Sequence, residues 1–145
     1  MNANVTIAII TVAGSVVVAA LSYFLTKRQQ REAEWRTSKL KHYKALLSAI
    51  SDLACEDPGT EAHQRFASAF NTIGLVAPQP VIDALVDFHN EIRISNLEKT
   101  PERHDELLVK LILAIRADLD VRPPDDPASF QFHLVGSPPK KPTNA

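Results

Sequence analysis

Few side chains in this sequence have both the type and the spacing to do chemistry. The pair His104-Asp105 would serve a metal-dependent phosphohydrolase, given an upstream histidine and a downstream aspartate, and His42 and Asp118 stand in that order. All four would have to converge on one ion and present its water to a phosphoester. His104 and Asp105 fall instead in the first turn after Pro101, where an acidic residue is expected simply to complement the helix dipole. The group His89-Asn90-Glu91 fares no better as a ligand cluster. Adjacent helical positions diverge by about 100°, and one turn beyond His89 stands Arg93, which binds no metal.

Cys55 is the single cysteine, and nothing fixes His42 or His63 beside it, so it reads as a small apolar side chain near a helix end. Arg116 is expected to pair with Asp120 at i, i+4, or with Asp83 or Asp87 on a neighbouring helix. As a phosphate grip it is disfavoured, because those carboxylates and Asp118 would repel a polyanion. No GxxxxGK[ST], GxGxxG, HExxH or CxxC motif occurs. The expectation is a protein that is not an enzyme, with no catalytic residue, metal or cofactor.

The elements that would position these groups are helices. Tyr43, Leu47, Ile50 and Ala54, flanked by Leu40, Leu46 and Leu53, repeat at three and four residues, and Asp57-Pro58-Gly59 breaks that run. Thr60 is read as the cap of a second helix with Phe66, Phe70, Ile73 and Ala77 on one face. Pro78-Gln79-Pro80 interrupts again. A third helix begins near Pro80 and carries Val81, Leu85, Phe88 and Ile92, with Ile82 and Val86 alongside. Thr100-Pro101 opens a fourth, whose buried side holds Leu108, Leu111, Ile112, Ile115 and Leu119. Four amphipathic helices joined by short loops predict an all-α fold, an antiparallel bundle over 45–135. Asp126-Pro127 predicts a short docked turn bringing Phe130 and Leu134 to the bundle. The competing reading, a strand through Phe130, Phe132 and Leu134, would have no partner strand. Residues 136–145, rich in proline and lysine, read as a disordered tail.

Ahead of the bundle, Val5 to Thr26 holds 22 residues without a charged side chain. At 1.5 Å per residue these reach roughly 33 Å, enough to cross a hydrocarbon layer of about 30 Å. Half of them are Val, Ile or Thr, yet a lone strand in lipid would leave its backbone unpaired, so a transmembrane helix is predicted over 5–26. Tyr23 and Phe24 mark its end at headgroup level. A cleaved signal peptide is the competing reading, with Val18-Ala19-Ala20 as the cleavage site. Against it, no Lys or Arg precedes the apolar run and the basic residues follow it. Residues 27–44 form a basic juxtamembrane helix with seven Lys or Arg against two Glu, a net +5; elsewhere nine basic face fifteen acidic side chains, a net −6. That asymmetry predicts a single-pass protein of the inner (cytoplasmic) membrane, residues 1–4 outside and the bundle in the cytoplasm.

Lys27, Arg28 and Arg31 are then the candidate lipid-headgroup contacts. Ser15 and Ala19, with Gly14 beside them, form a small-xxx-small face through which two spans can approach, although a monomeric anchor fits the same residues. Trp35 is a candidate headgroup contact or the first core residue. With neither proline nor a second glycine between Val5 and Asp57, one helix can run from span to bundle.

The stretches AFNTIGLVAPQPVIDALVDF (Ala69 to Phe88) and LILAIRADLDV (Leu111 to Val121), behind a span followed by KRQQREAEWRTSKLKHYKALLSAI, resemble a class of small bacterial membrane-anchored proteins with a helical cytoplasmic domain. The resemblance implies the architecture and carries no activity, cofactor or catalytic residue. The expected function is that of an interaction or scaffold protein, a homo-oligomer contacting membrane lipids and a partner protein, without nucleic acid. The alternative is a membrane-active effector, for example in anti-phage defence, whose bundle senses a signal and whose clustered spans breach the bilayer.

Overall fold

A computed structural model describes residues 2–55 and 57–134, the side chains of 4–10 excepted. The expected tail at 136–145 lies outside the described residues. Four helices, and no strand among the described residues, make the protein all-α: α1 (Ala3–Leu53), α2 (Thr60–Ile73), α3 (Gln79–Ile92) and α4 (Pro101–Asp118). The chain divides into two compact units, one ending at Ser38 and one beginning at Lys39.

In the first unit the described side chains of 11–37 are all exposed. Among the described residues no helix is long and apolar enough to cross a membrane, so the span expected at 5–26 gains no support there; the side chains of 5–10 lie outside the described set.

The second unit is a helical bundle with one apolar core. Its part of α1 contributes Tyr43, Leu46, Ala49 and Ile50; α2 adds Ala62, Phe66 and Ile73, α3 Val81, Ala84, Leu85 and Phe88, and α4 Leu107, Leu108, Leu111, Ile112 and Ile115. The pairing of ends gives the directions. Asp118, at the end of α4, meets Lys39, while Lys110 meets Asp87 and His104 lies against Phe88, so α4 runs opposite to both α1 and α3.

On α1 the expected face is rotated. The four buried positions span an arc of about 120° at 100° per residue, centred near Leu46, whereas Leu47 is half-buried and Ala54 exposed. Because Leu40, Leu46, Leu47 and Leu53 are all apolar, the pattern leaves two neighbouring ridges almost equivalent, and packing against α4 selects between them. Trp35 does not begin the core; it is 51% exposed and belongs to the first unit.

The helix starts also show one departure. Thr100 caps α4 as expected, its Oγ1 accepting from the Arg103 N–H at 3.2 Å, with Pro101 behind it. Thr60 does not cap α2. Gly59 takes that place in extended conformation, and its carbonyl accepts from Ala62 and His63, so Thr60 already lies inside the helix. At the other end of the bundle, Asp120 adopts φ 52° and closes α4: its N–H donates to the Ala117 carbonyl and that of Val121 to Arg116, each at 3.1 Å.

Beyond α4 the expected docked turn is present and no strand forms among the described residues. Asp126 organises one turn, accepting from the Ala128 N–H and the Ser129 hydroxyl, with the Phe130 N–H donating to its carbonyl. After the turn, Phe130, Phe132 and Leu134 pack on the core while Gln131 and His133 face solvent.

Candidate functional site

Around the N-terminal end of α4 the described residues leave a cavity beside the core. Ile50 and Leu53 of α1, Phe88 and Ile92 of α3, Leu108 of α4 and Leu134 wall this cavity of about 490 Å³. That volume lies in the range of about 300–1,000 Å³ that takes a single small ligand. Its wall also holds His63, Lys99, His104, Asp105 and His133. The start of α4 and the last residues of the described chain thus bring together polar groups widely separated in sequence.

Each polar group is held differently. His63 has its Nδ1 3.2 Å from the Gly59 carbonyl, which orients the ring one turn into α2. The His104 ring rests on Phe88, centroids 5.3 Å apart, and its Nδ1 lies 3.2 Å from Asp105 Oδ1. The other carboxylate oxygen of Asp105 is 3.9 Å from His133 Nδ1. Lys99 makes no hydrogen bond or ion pair among the described residues, and its side chain is exposed at the mouth. Ile94 on the same wall is 84% exposed, an apolar side chain that a monomer leaves uncovered.

The hydrolase set does not assemble. Fourteen residues of α4 separate His104 from Asp118, roughly 21 Å at helical rise, and no ion bridges that distance. Asp118 is committed elsewhere: Lys39 Nζ lies 2.7 and 3.0 Å from its two oxygens, and the Tyr43 hydroxyl donates to Oδ2 at 2.6 Å. Tyr43 is fully buried, and burial first, then the Asp118 carboxylate, pushes its pKa well above the ordinary value, so the phenol stays a donor. Among the described residues no group of three or more His, Cys, Asp or Glu is placed to hold a metal ion.

Arg116 takes neither expected partner. Its guanidinium grips Asp125 through Nε at 2.7 Å and an Nη at 2.8 Å and lies 5.4 Å from the Phe130 centroid. The left-handed turn at Asp120 is the cause: it lifts Asp120 off the helix surface, where Arg122 pairs with it, and returns the chain so that Asp125 reaches Arg116. Asp87 pairs with Lys110, and Asp83 accepts from Gln79. The Arg116 hydrogen bonds hold the Asp125 carboxyl below its usual range, and those from Ala128 and Ser129 do the same for Asp126.

His89 packs against Phe66 and Phe70, at 5.9 and 5.0 Å between centroids, away from any ligand cluster. Burial, with Arg93 nearby, lowers its pKa. Glu91 is occupied by Asn96 and the Thr100 N–H. Cys55 is half-buried, its Sγ 4.0 Å from the Ser51 carbonyl. On the first unit, Lys27 and Arg31 are exposed and Arg28 pairs with Glu32 at 2.9 Å. The Ser15 hydroxyl donates to the carbonyls of Thr11 and Val12, and a Cβ at Gly14 would meet nothing within 4 Å.

The cavity was missed in the sequence because its residues share no motif. Only the break at Asp57-Pro58-Gly59 and the cap at Thr100 hinted that three helix ends meet there. No protein-family model matches the chain, and neither does any curated protein or solved structure.

Proposed function

We propose that this protein is a membrane-anchored interaction protein, held by a helical span at 5–26 and presenting its bundle to the cytoplasm as a docking module. The observation that carries the reading is the uncharged 22-residue segment followed by a run of net +5. It is supported by the surface of α1 itself: the consecutive residues Val16, Val17 and Val18 are 62%, 57% and 63% exposed, so apolar side chains there point over an arc of about 200° rather than along one stripe. A helix of that kind is covered by lipid or by other helices. Lys27, Arg28 and Arg31 then lie where anionic headgroups are, each worth about 1 kcal/mol. Gly14, Ser15 and Ala19 offer small side chains for self-association.

Washing membranes at alkaline pH tests the anchor. The full chain is expected to stay in the pellet, and a variant lacking 1–26 to appear in the supernatant; release of the full chain would remove the proposal. Loss of membrane potential on overexpression, dependent on 1–26, would mark a membrane-active effector instead.

A further inference from the structure

The geometry points to a binding site for a small amphipathic carboxylate in the cavity at the N-terminal end of α4. Its inner wall, from Ile50 and Leu53 through Phe88 to Leu108, offers an apolar body nothing to hydrogen-bond and everything to gain by leaving water. The mouth offers the opposite. Lys99, without a partner among the described residues, provides a cation. A ligand with an apolar body and one anionic head matches both.

The negative groups nearby do not defeat this. Asp105 already accepts a hydrogen bond from the His104 ring, and the Glu91 carboxylate accepts from Asn96 and the Thr100 N–H. A carboxylate head meets the Lys99 ammonium directly. A ligand with two or more charges would bury polar surface against the apolar floor without partners for it. The inference is independent of the anchor: it concerns residues of the second unit alone.

The test uses the full chain in lipid nanodiscs with methyl-labelled Ile and Leu, titrated with phenylbutanoate, phenylbutanol and phenylbutylamine. These share one apolar body and differ in head charge. Phenylbutanoate is expected to shift the methyls of Ile50, Ile92 and Leu108 saturably and to bind roughly tenfold tighter than the alcohol, the scale of one charge-assisted hydrogen bond. Lys99→Gln, at an exposed site outside the core, should erase that tenfold preference. Ala54→Trp, which fills the cavity from an exposed position on its wall, should abolish the shifts. Equal binding of acid and alcohol, preference for the amine, or absence of cavity-localised shifts would each overturn the proposal. Loss of the anchor would appear separately, as failure of the protein to co-purify with the disc.

Discussion

The two ends of α4 solve the same problem in opposite ways. At the C-terminal end, polar groups are half-buried and engaged: Lys39 and Asp118, with side chains 15% and 10% exposed, meet the Tyr43 hydroxyl, and Arg116 binds Asp125 with two hydrogen bonds. At the N-terminal end, the polar groups remain partly in water and the apolar floor behind them is open. Burying a charge is tolerable only with its partner in place, so the first end is rigid by necessity. The second leaves its hydrophobic surface available, which is where a ligand finds binding energy.

This contrast predicts where the bundle breaks. Asp118→Ala takes the carboxylate away from the half-buried Lys39 ammonium and the acceptor away from the Tyr43 hydroxyl. We expect a loss of about 3 kcal/mol, on the scale of a broken buried ion pair, and a drop in Tm of the order of 15 °C for a bundle of this size. Tyr43→Phe should cost about 1.5 kcal/mol, the scale of one hydrogen bond to a charged group. A double-mutant cycle between the two would show strong coupling. If Asp118→Ala unfolded within 0.5 kcal/mol of the parent, the surface range, the clamp would contribute nothing and the contrast would fail.

A smaller effect should follow Arg116→Gln. Without the bidentate grip on Asp125 and the stacking on Phe130, the segment through Leu134 loses its tether, though the bundle core does not depend on it. Hydrogen exchange at the Phe130 amide, bonded to the Asp126 carbonyl, is expected to rise, with a Tm decrease below that of Asp118→Ala. Arg116→Lys should rescue only part of the protection, since an ammonium cannot form the planar pair of bonds. Unchanged exchange at Phe130 would show that the segment is held by its apolar contacts alone.

How much of this was legible in the sequence depends on the range of the interaction. Thr100-Pro101 announces the start of α4 because cap and proline act within one turn, and the apolar periodicity marks the faces of α3 and α4 well. The break before α2 is equally visible, but its cap is not: Thr60 and Gly59 both suit the position, and the backbone settles on the glycine. Asp118 finds partners 75 and 79 residues away, which no local spacing reveals. Asp120 is one of the partners the spacing offers Arg116, because a continuing helix would align them. A single residue at φ 52° removes that alignment, and such a turn at an aspartate is poorly marked compared with one at glycine. The cavity is the hardest to foresee, since it arises where helix ends meet without filling the space between them, and an absence of packing has no motif.

The smallest expected effect separates the two ends by pH. His89, beside Phe88 of the cavity wall, has a pKa lowered from its ordinary 6.5 by burial between α2 and α3 and by Arg93. The folded state therefore binds that proton less readily than the unfolded chain, so the stability His89 contributes is present above pH 6.5 and declines as pH falls below it. Asp125, lowered from 3.8 by Arg116, contributes in the same sense but keeps its share until pH falls below 3.8. Between pH 6.5 and 5 hydrogen exchange should quicken first in α2 and α3 around Phe66, Phe70 and His89, while the C-terminal end of α4 keeps its protection. His89→Gln should flatten the dependence of Tm on pH in that window, because the ring no longer has a proton to gain on unfolding. An identical slope in parent and variant, or simultaneous loosening of both ends, would show that the acid response is global and would leave the two ends of α4 alike in this respect.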